Sequence, residues 1–570
     1  MRDQRSQAVG RGLIGNFLLI RNWWGESLPL AKIKSGCSGH AIALRLILST
    51  LCSVISVPVC EKGISIGGHS KSSIIVATEA WSMRVSVLLS TIAVLICPLM
   101  AQQAIIADEP QVRGPFTLTA AYDSVAGHNA FLYAGKNVPP VIRVSPGGVI
   151  KLRYVNHLPR QSNEQCATAR CGNMTNLHFH GLHVSPQLPQ DDVLTMMAMP
   201  GETLDYKVVI PSYAPPGLYW YHTHPHGESA RQDLDGMSGA IVVEGIDRYY
   251  PELRHMRERI IVLRDHDIED SDAATREQVV HRVEVPTASC GTATEQKPTR
   301  VFTANGEVRP LIPVEPGERQ FWRIVNASPD RYADLQVSGE QLEIVALDGM
   351  PFSYHDPHRA TLKVDHVLVP PAGRVEMIVI GSASSSRSTL STRCVDTGPD
   401  GDPNPAMVIA DVGPVTTKSP KRAVPATPGP AVHKPYTSQR IKELEASEPD
   451  FIVTFTEDKH GFYINGKKFS MDAQPMLQVR VGSLQHWRIV NATQELHPFH
   501  IHQVHFFAFA ENGVQSTSPE WLDTVNVPYG LGTVDLIMDF TDPIIRGMSV
   551  FHCHLLSHED KGMMAKILFK

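Results

Sequence analysis

Two phrases recur, in the same order, three times along this 570-residue chain, and that repetition limits the fold more than any other feature. The first reads PVIRVSPGGVIKLRYVN from Pro140, PLIPVEPGERQFWRIVN from Pro310 and PMLQVRVGSLQHWRIVN from Pro475. Each copy is an extended entry, a turn, and an alternating run that ends in asparagine. The second reads MAMPGETLDYKVVI from Met197, VLVPPAGRVEMIVI from Val367 and VNVPYGLGTVDLIM from Val525. Successive copies of the first phrase start 170 and 165 residues apart (140 to 310 to 475), too long a period for a solenoid. Three copies of one β-domain are therefore expected. Alternating short strands punctuated by the chain's 42 prolines and 41 glycines suit a Greek-key β-sandwich. The boundaries fall at 112–247, 255–415 and 446–570, with a proline-rich linker at 416–445.

The first hundred residues differ in kind. MRVSVLLSTIAVLICPLMAQQA, from Met83, has one basic residue, an apolar run from Val85 to Leu99, and a small residue at Ala101. This is the form of a secretory signal peptide over 83–101, too short for a membrane span. The expected location is periplasmic or secreted, with no stable membrane association after cleavage. No twin arginine precedes the run, so export is expected to be unfolded, with any metal loaded outside. Residues 1–82 read as a non-native upstream extension; the rival is a leader or anchor over 41–60, which Arg45 interrupts. A net charge of −6 gives no reason to expect a nucleic-acid partner.

Export permits disulfides. Five of the nine cysteines lie beyond the leader. Cys166 with Cys171 would close a tight loop, and Cys290 with Cys394 would staple the middle region. Cys553 is left over, which marks it as reactive or metal-bound.

The 26 histidines are clustered. HFHGLH holds His178, His180 and His183; HTHPHG holds His222, His224 and His226; HPFHIHQVH holds His497, His500, His502 and His505; HCHLLSHEDKGMM holds His552, His554 and His558. On a strand, H-x-H puts both imidazoles on one face. One such pair is weak evidence of a metal site. Four pairs, two in the first copy and two in the third, supply eight imidazoles, which is about right for three ions of copper, zinc, iron or nickel. In the last cluster His552 and His554 face one way and Cys553 the other. Cys553, His558 and the distant His497 then make a His₂Cys set, with Met563 as a weak axial ligand, the blue-copper arrangement used for electron transfer. The Cys553 backbone joins the two metal sites.

These residues resemble the multicopper oxidases, the laccase-like family of three cupredoxin domains, and the bacterial periplasmic members more than the fungal ones. The match covers essentially all of 112–570. The resemblance implies an all-β fold of three cupredoxin-like sandwiches and four coppers per chain. His497, Cys553, His558 and Met563 would hold the type 1 copper. His178 and His500 would hold type 2, and His180, His222, His224, His502, His552 and His554 the type 3 pair. His183, His226 and His505 fall outside the pattern. Glu559 stands where the family often has a proton-relaying glutamate, and Asp191 or Asp192 matches its acid near the type 2 copper.

The implied reaction joins one-electron oxidation of a small reductant to four-electron reduction of dioxygen. An edge of His497 is the expected entry point, and the enzyme is expected to be a monomer. No methionine-rich insert is present; Met196, Met197 and Met199 read as packing on an ordinary strand. Met563 implies a low or middle potential. Phenols and similar aromatics are thus the expected reductants, with cuprous or other metal-ion oxidation as the alternative. A copper-free scaffold conflicts with the complete ligand set, and a copper nitrite reductase needs fewer H-x-H pairs.

Overall fold

Each copy of the first phrase folds into two strands that belong to different sheets. They are Val141–Val144 with Val149–His157, Leu311–Pro313 with Arg319–Asn326, and Leu477–Val479 with Ser483–Asn491. The first strand of each pair runs parallel to the last strand of its unit: Ser238–Val243, Met407–Gly413 or Met564–Phe569. The second runs parallel to an early one: Phe116–Asp123, Arg257–Asp267 or Phe451–Asp458. The intervening turn carries the chain across the core, so each unit is two facing sheets, and the six sheets form three consecutive pairs. The computed structural model describes residues 103–160, 172–269, 271–293, 298–383, 387–415, 422–434 and 438–570. The expectations for residues 1–101, and for Cys166 and Cys171, lie outside these.

The asparagine that ends each first phrase ties it to the second. Asn156, Asn326 and Asn491 are fully buried. Their amides donate to Ala198 O, Val369 O and Val527 O in the second phrase, at 2.9, 3.0 and 3.1 Å. Each also donates to a nearby loop carbonyl, and each side-chain oxygen accepts the N–H two residues on. A buried amide pays for its desolvation only when its hydrogen bonds are made, which accounts for the same residue at the same place in all three units.

Alternation supplies the cores. Trp322 and Trp487 are fully buried at equivalent positions, and in each case the glutamine two residues before accepts from the indole nitrogen. Burying such a ring is worth roughly 2–3 kcal/mol. Cys553 and Met563 belong to the third core, beside Phe455, Phe499 and Phe551.

Six strands and two short helices position the site. They are β1 (His178–His180), β2 (Gly217–His222), α1 (Ser229–Leu234), β3 (Arg374–Ile380), β4 (His497–Ile501), β5 (Thr524–Val527), β6 (Gly547–Cys553) and α2 (Leu556–Asp560). Cys290 and Cys394 are disulfide-bonded. The described part of the proline-rich segment is a strap rather than a free spacer: Glu258 N–H donates to Arg422 O and Val424 N–H to Met256 O. Val424 is buried against Ile246, Leu253 and Phe321. The methionines before Pro200 do not form a regular strand; Ala198 makes a single bridge to Thr175, Met196 is buried and Met199 is exposed.

Candidate metal centre

β1 pairs antiparallel with β2, placing His178 opposite His222. β4 pairs with β6, placing His500 opposite His552 and Phe499 opposite Cys553. The strand period of two then separates two sets of side chains. His497 and Cys553 share the core face of the third sandwich; His500 and His552 face the first sandwich. All eight H-x-H imidazoles meet in one buried group: His178 stacks on His502 with centroids 3.6 Å apart, His180 on His500 at 3.9 Å, and His224 lies 5.3 Å from His552. His554 is 5.5 Å from His222.

The direction of the ring nitrogens tests whether metal fits. Nε2 of His178, His222, His224, His500 and His554, and Nδ1 of His180, are buried without a hydrogen-bond partner. The Nε2 atoms of His502 and His552 face each other at 3.1 Å. Each unpaired buried polar atom costs roughly 1–3 kcal/mol, so a purely structural core would not collect so many in one place. In four of the rings the opposite nitrogen is anchored: His178 Nδ1 lies 3.0 Å from Asp191, His222 Nδ1 3.0 Å from Thr223 O, His500 Nδ1 2.8 Å from Asp523 O, and His552 Nδ1 2.9 Å from Cys553 O. Anchoring one nitrogen aims the other, as metal-ligating histidines require. Burial lowers the pKa of every ring in the group, so the imidazoles are neutral and free to ligate.

The second set is a compact His₂Cys triad. His497 Nδ1 lies 3.3 Å from Cys553 Sγ and 3.3 Å from His558 Nδ1. Met563 is fully buried, and its carbonyl accepts from the Cys553 N–H. Burial raises the pKa of the Cys553 thiol and lowers that of His558 to about 3. A bound cation would reverse the preference at sulfur.

His497 is not the accessible edge. It is fully buried and its Nε2 bonds the Thr493 hydroxyl at 2.9 Å. His558 instead borders a pocket lined by Asp265, Asp330, Asp402, Glu495, Arg300 and Arg331, among others. Phe462 stacks on its ring at 3.8 Å. Its Nε2 lies 3.4 Å from the Glu495 carboxylate.

Of the acids expected near the histidine cluster, Glu559 and Asp191 are there and Asp192 is not. Glu559 is buried, accepts from the Ser229 hydroxyl on α1 at 3.2 Å, and lies 3.7 Å from His224 and 3.6 Å from His552. Burial, and next the neighbouring Asp560, raise its pKa well above the usual carboxylate range. Asp191 bonds His178, the Phe179 N–H and Gln503, and burial pushes its pKa up to about 8. Asp192 instead caps the following turn through the N–H groups of Leu194 and Thr195. His183 pairs with Asp542 and His505 with the Asp348 carbonyl, while His226 packs on Phe469. Glu495, Asp523 and Arg374 also meet the site. No spacing signal marks them, because each meets the site from a different sandwich or loop.

Residues 117–247 and 442–570 match two family models, each described as multicopper oxidase. Among curated relatives, the chain is 24% identical to "Multicopper oxidase mco" of Staphylococcus aureus, over 77% of this chain and 83% of that one. It is also 24% identical to a "Laccase" of Bacillus stratosphericus, over 76% and 89%. Among solved structures, the fold superposes on a Campylobacter jejuni multicopper oxidase described as a metallo-oxidase. The TM-score is 0.60 at 21% identity, covering 82% of this chain and 96% of that one.

Proposed function

Because this chain belongs to the multicopper oxidase family, whose members bind type 1, 2 and 3 coppers, we propose that it is an oxidase whose reductant is a metal cation held beside His558. The His₂Cys triad with Met563 would hold type 1 copper. Nε2 of His178 and of His500 would hold type 2, and the other six cluster imidazoles the type 3 pair. The coppers supply one-electron acceptance at the triad and four-electron reduction of dioxygen to two waters at the cluster. The protein supplies the rest. Cys553 ends β6 with His552 before it and His554 directly after it, a through-bond link between the two sites. Glu559, held by Ser229, keeps a proton within reach of His224 and His552. Asp191 orients His178.

The pocket beside His558 carries the choice of reductant. Arg300 and Arg331 lie against Asp265 and Asp330, within 4 Å. Asp402 and Glu495 add two more carboxyl groups to the same lining, and Glu495 sits in their combined field. Burial first, then repulsion from Asp402, Glu457, Asp330 and Asp400, pushes the Glu495 pKa up to about 9. A cation relieves that repulsion, and a neutral aromatic ring does not. Among the described residues no methionine lines the pocket, and carboxylates suit ferrous or manganous ion better than cuprous. Four ferrous ions would yield the four electrons that, with four protons, turn dioxygen into two waters. This reverses the order of reductants expected from sequence, leaving phenols as the second reading. The relatives' names span both classes.

The test compares ferrous ion and a dimethoxyphenol as reductants, with oxygen uptake as the readout. Glu495→Gln is expected to lower kcat/KM for ferrous ion tenfold or more and to leave the phenol value within about twofold. A wild-type phenol kcat/KM far above the ferrous value, unmoved by Glu495→Gln, would restore the aromatic reading.

A further inference from the structure

The middle sandwich contributes none of the proposed copper ligands, yet one of its side chains reaches the cluster. Arg374, the first residue of β3, is fully buried, and all five of its guanidinium N–H groups have acceptors. Nε donates to Leu218 O at 3.2 Å. Nη1 donates to Ala372 O at 3.1 Å and to Asp523 Oδ1 at 2.8 Å. Nη2 donates to Asp348 O at 2.8 Å and to Asp523 Oδ2 at 2.5 Å. Asp523 is thus gripped by a two-pronged fork. Asp348 holds the same segment from the backbone side, accepting the N–H groups of Asp523 and Thr524 on Oδ2 and that of Arg374 on Oδ1.

Asp523 in turn touches two cluster imidazoles. Its Oδ1 lies 3.1 Å from His180 Nε2, and its carbonyl lies 2.8 Å from His500 Nδ1. The opposite nitrogens, His180 Nδ1 and His500 Nε2, are among the unpaired atoms that face the cluster. His180 presents Nδ1 to the cluster. Its Nε2 is turned away by Asp523. The fork also explains Gly181, which follows His180 in HFHGLH: a Cβ there would lie 2.4 Å from Arg374 Nη2 and 2.5 Å from Asp523 Oδ2. The three sandwiches meet at this point, through Gly181 and His180, through Asp348 and Arg374, and through Asp523.

We propose that Arg374 is a positioning residue for the cluster, acting through Asp523, whose carbonyl orients the type 2 ligand His500 and whose carboxylate orients the type 3 ligand His180, and so helps to retain the type 2 ion. This rests on the copper assignment above. Lysine keeps the charge but has neither the plane nor the two parallel donors to hold both Asp523 oxygens.

The experiment measures copper per chain, the visible type 1 band, and the type 2 electron paramagnetic resonance signal. It uses full-length protein, wild type and Arg374→Lys. In the variant the type 1 band is expected to persist. The type 2 signal is expected to be lost or its hyperfine splitting changed, with copper falling from four toward three per chain. Where Arg374→Lys does not fold, Arg374→Met with Asp523→Asn removes both buried charges together, and the same spectral loss is expected. An unchanged type 2 signal and copper count in a folded variant, with only a lower melting temperature, would make Arg374 structural and overturn the inference. Wild-type protein without type 2 copper would instead overturn the metal assignment itself.

Discussion

Cys553 sits fully buried between Phe499 and the backbone of Met563, a place suited to a thiol and hostile to a bare thiolate. Copper resolves that conflict, and the intense blue band of such a site needs the thiolate. Cys553→Ser is therefore expected to abolish the visible band and oxidase activity while leaving the type 2 signal; a variant that stays blue would mean the ligand is misassigned. Glu559 tests the cluster side. Glu559→Gln keeps the shape and the Ser229 contact but carries no transferable proton. Rapid-mixing experiments should show reduction of the type 1 site unchanged and reoxidation by air slowed about a hundredfold. Slowing confined to the reduction step would move Glu559 to the reductant's side. Residues of this kind were legible because local spacing carries them: alternation alone turns Cys553 away from His552 and His554. Asp191 and Asp192 mark where spacing stops. Adjacent in sequence, one is buried against His178 and the other caps a turn, and only the path of the loop separates them.

The repeated phrase is the element that builds each sandwich, and its asparagine is the joint. Asn326 lies in the middle sandwich, which supplies none of the proposed ligands, so its replacement tests the joint without removing a ligand. Asn326→Ala strands the carbonyls of Arg331 and Val369 and the N–H of Ser328 in a buried setting. The expected cost is about 3 kcal/mol, read as a lower thermal or denaturant midpoint with unaltered copper spectra. A loss below about 0.5 kcal/mol would show that other groups or water take over those bonds. The strands themselves could be read from alternation and punctuation. The reach of the proline-rich segment could not: what pins Val424 is the apolar surface of Ile246, Leu253 and Phe321, over 170 residues earlier for the first two. The accessible edge of the triad was also out of reach. His497 and His558 are equivalent as ligands, and their exposure depends on the Asp330 and Asp402 loops that shape the pocket beside one of them.

For the whole molecule, the cluster is a store of buried neutral imidazoles, which makes metal content and pH act on stability together. In metal-free protein the ring pKa values are held down to about 3 in His222 and His558 and about 4 in His505 and His552, against an ordinary 6.5. A depressed histidine pKa means the unfolded chain takes up protons first. Its stabilising contribution is whole above about pH 6.5 and is lost as pH falls toward 3–4. Each such group adds about 1.4 kcal/mol per pH unit within that window. The metal-free melting temperature is expected to drop steeply from pH 7 to pH 5, and copper loading at pH 7 to raise it. Equal metal-free melting at the two pH values would show that the rings are not held neutral. The sequence by itself determined the three sandwiches, the partition of the histidine pairs between first and third, and the opposite facing of His552 and Cys553, because these follow from a period of two and from phrases that repeat within one chain. Only the tertiary structure decided which triad histidine borders a pocket, which aspartate lies against the cluster, and that Arg374 of the middle sandwich holds Asp523. Those depend on where three separately folded cores touch, and contacts between cores leave no period in the sequence.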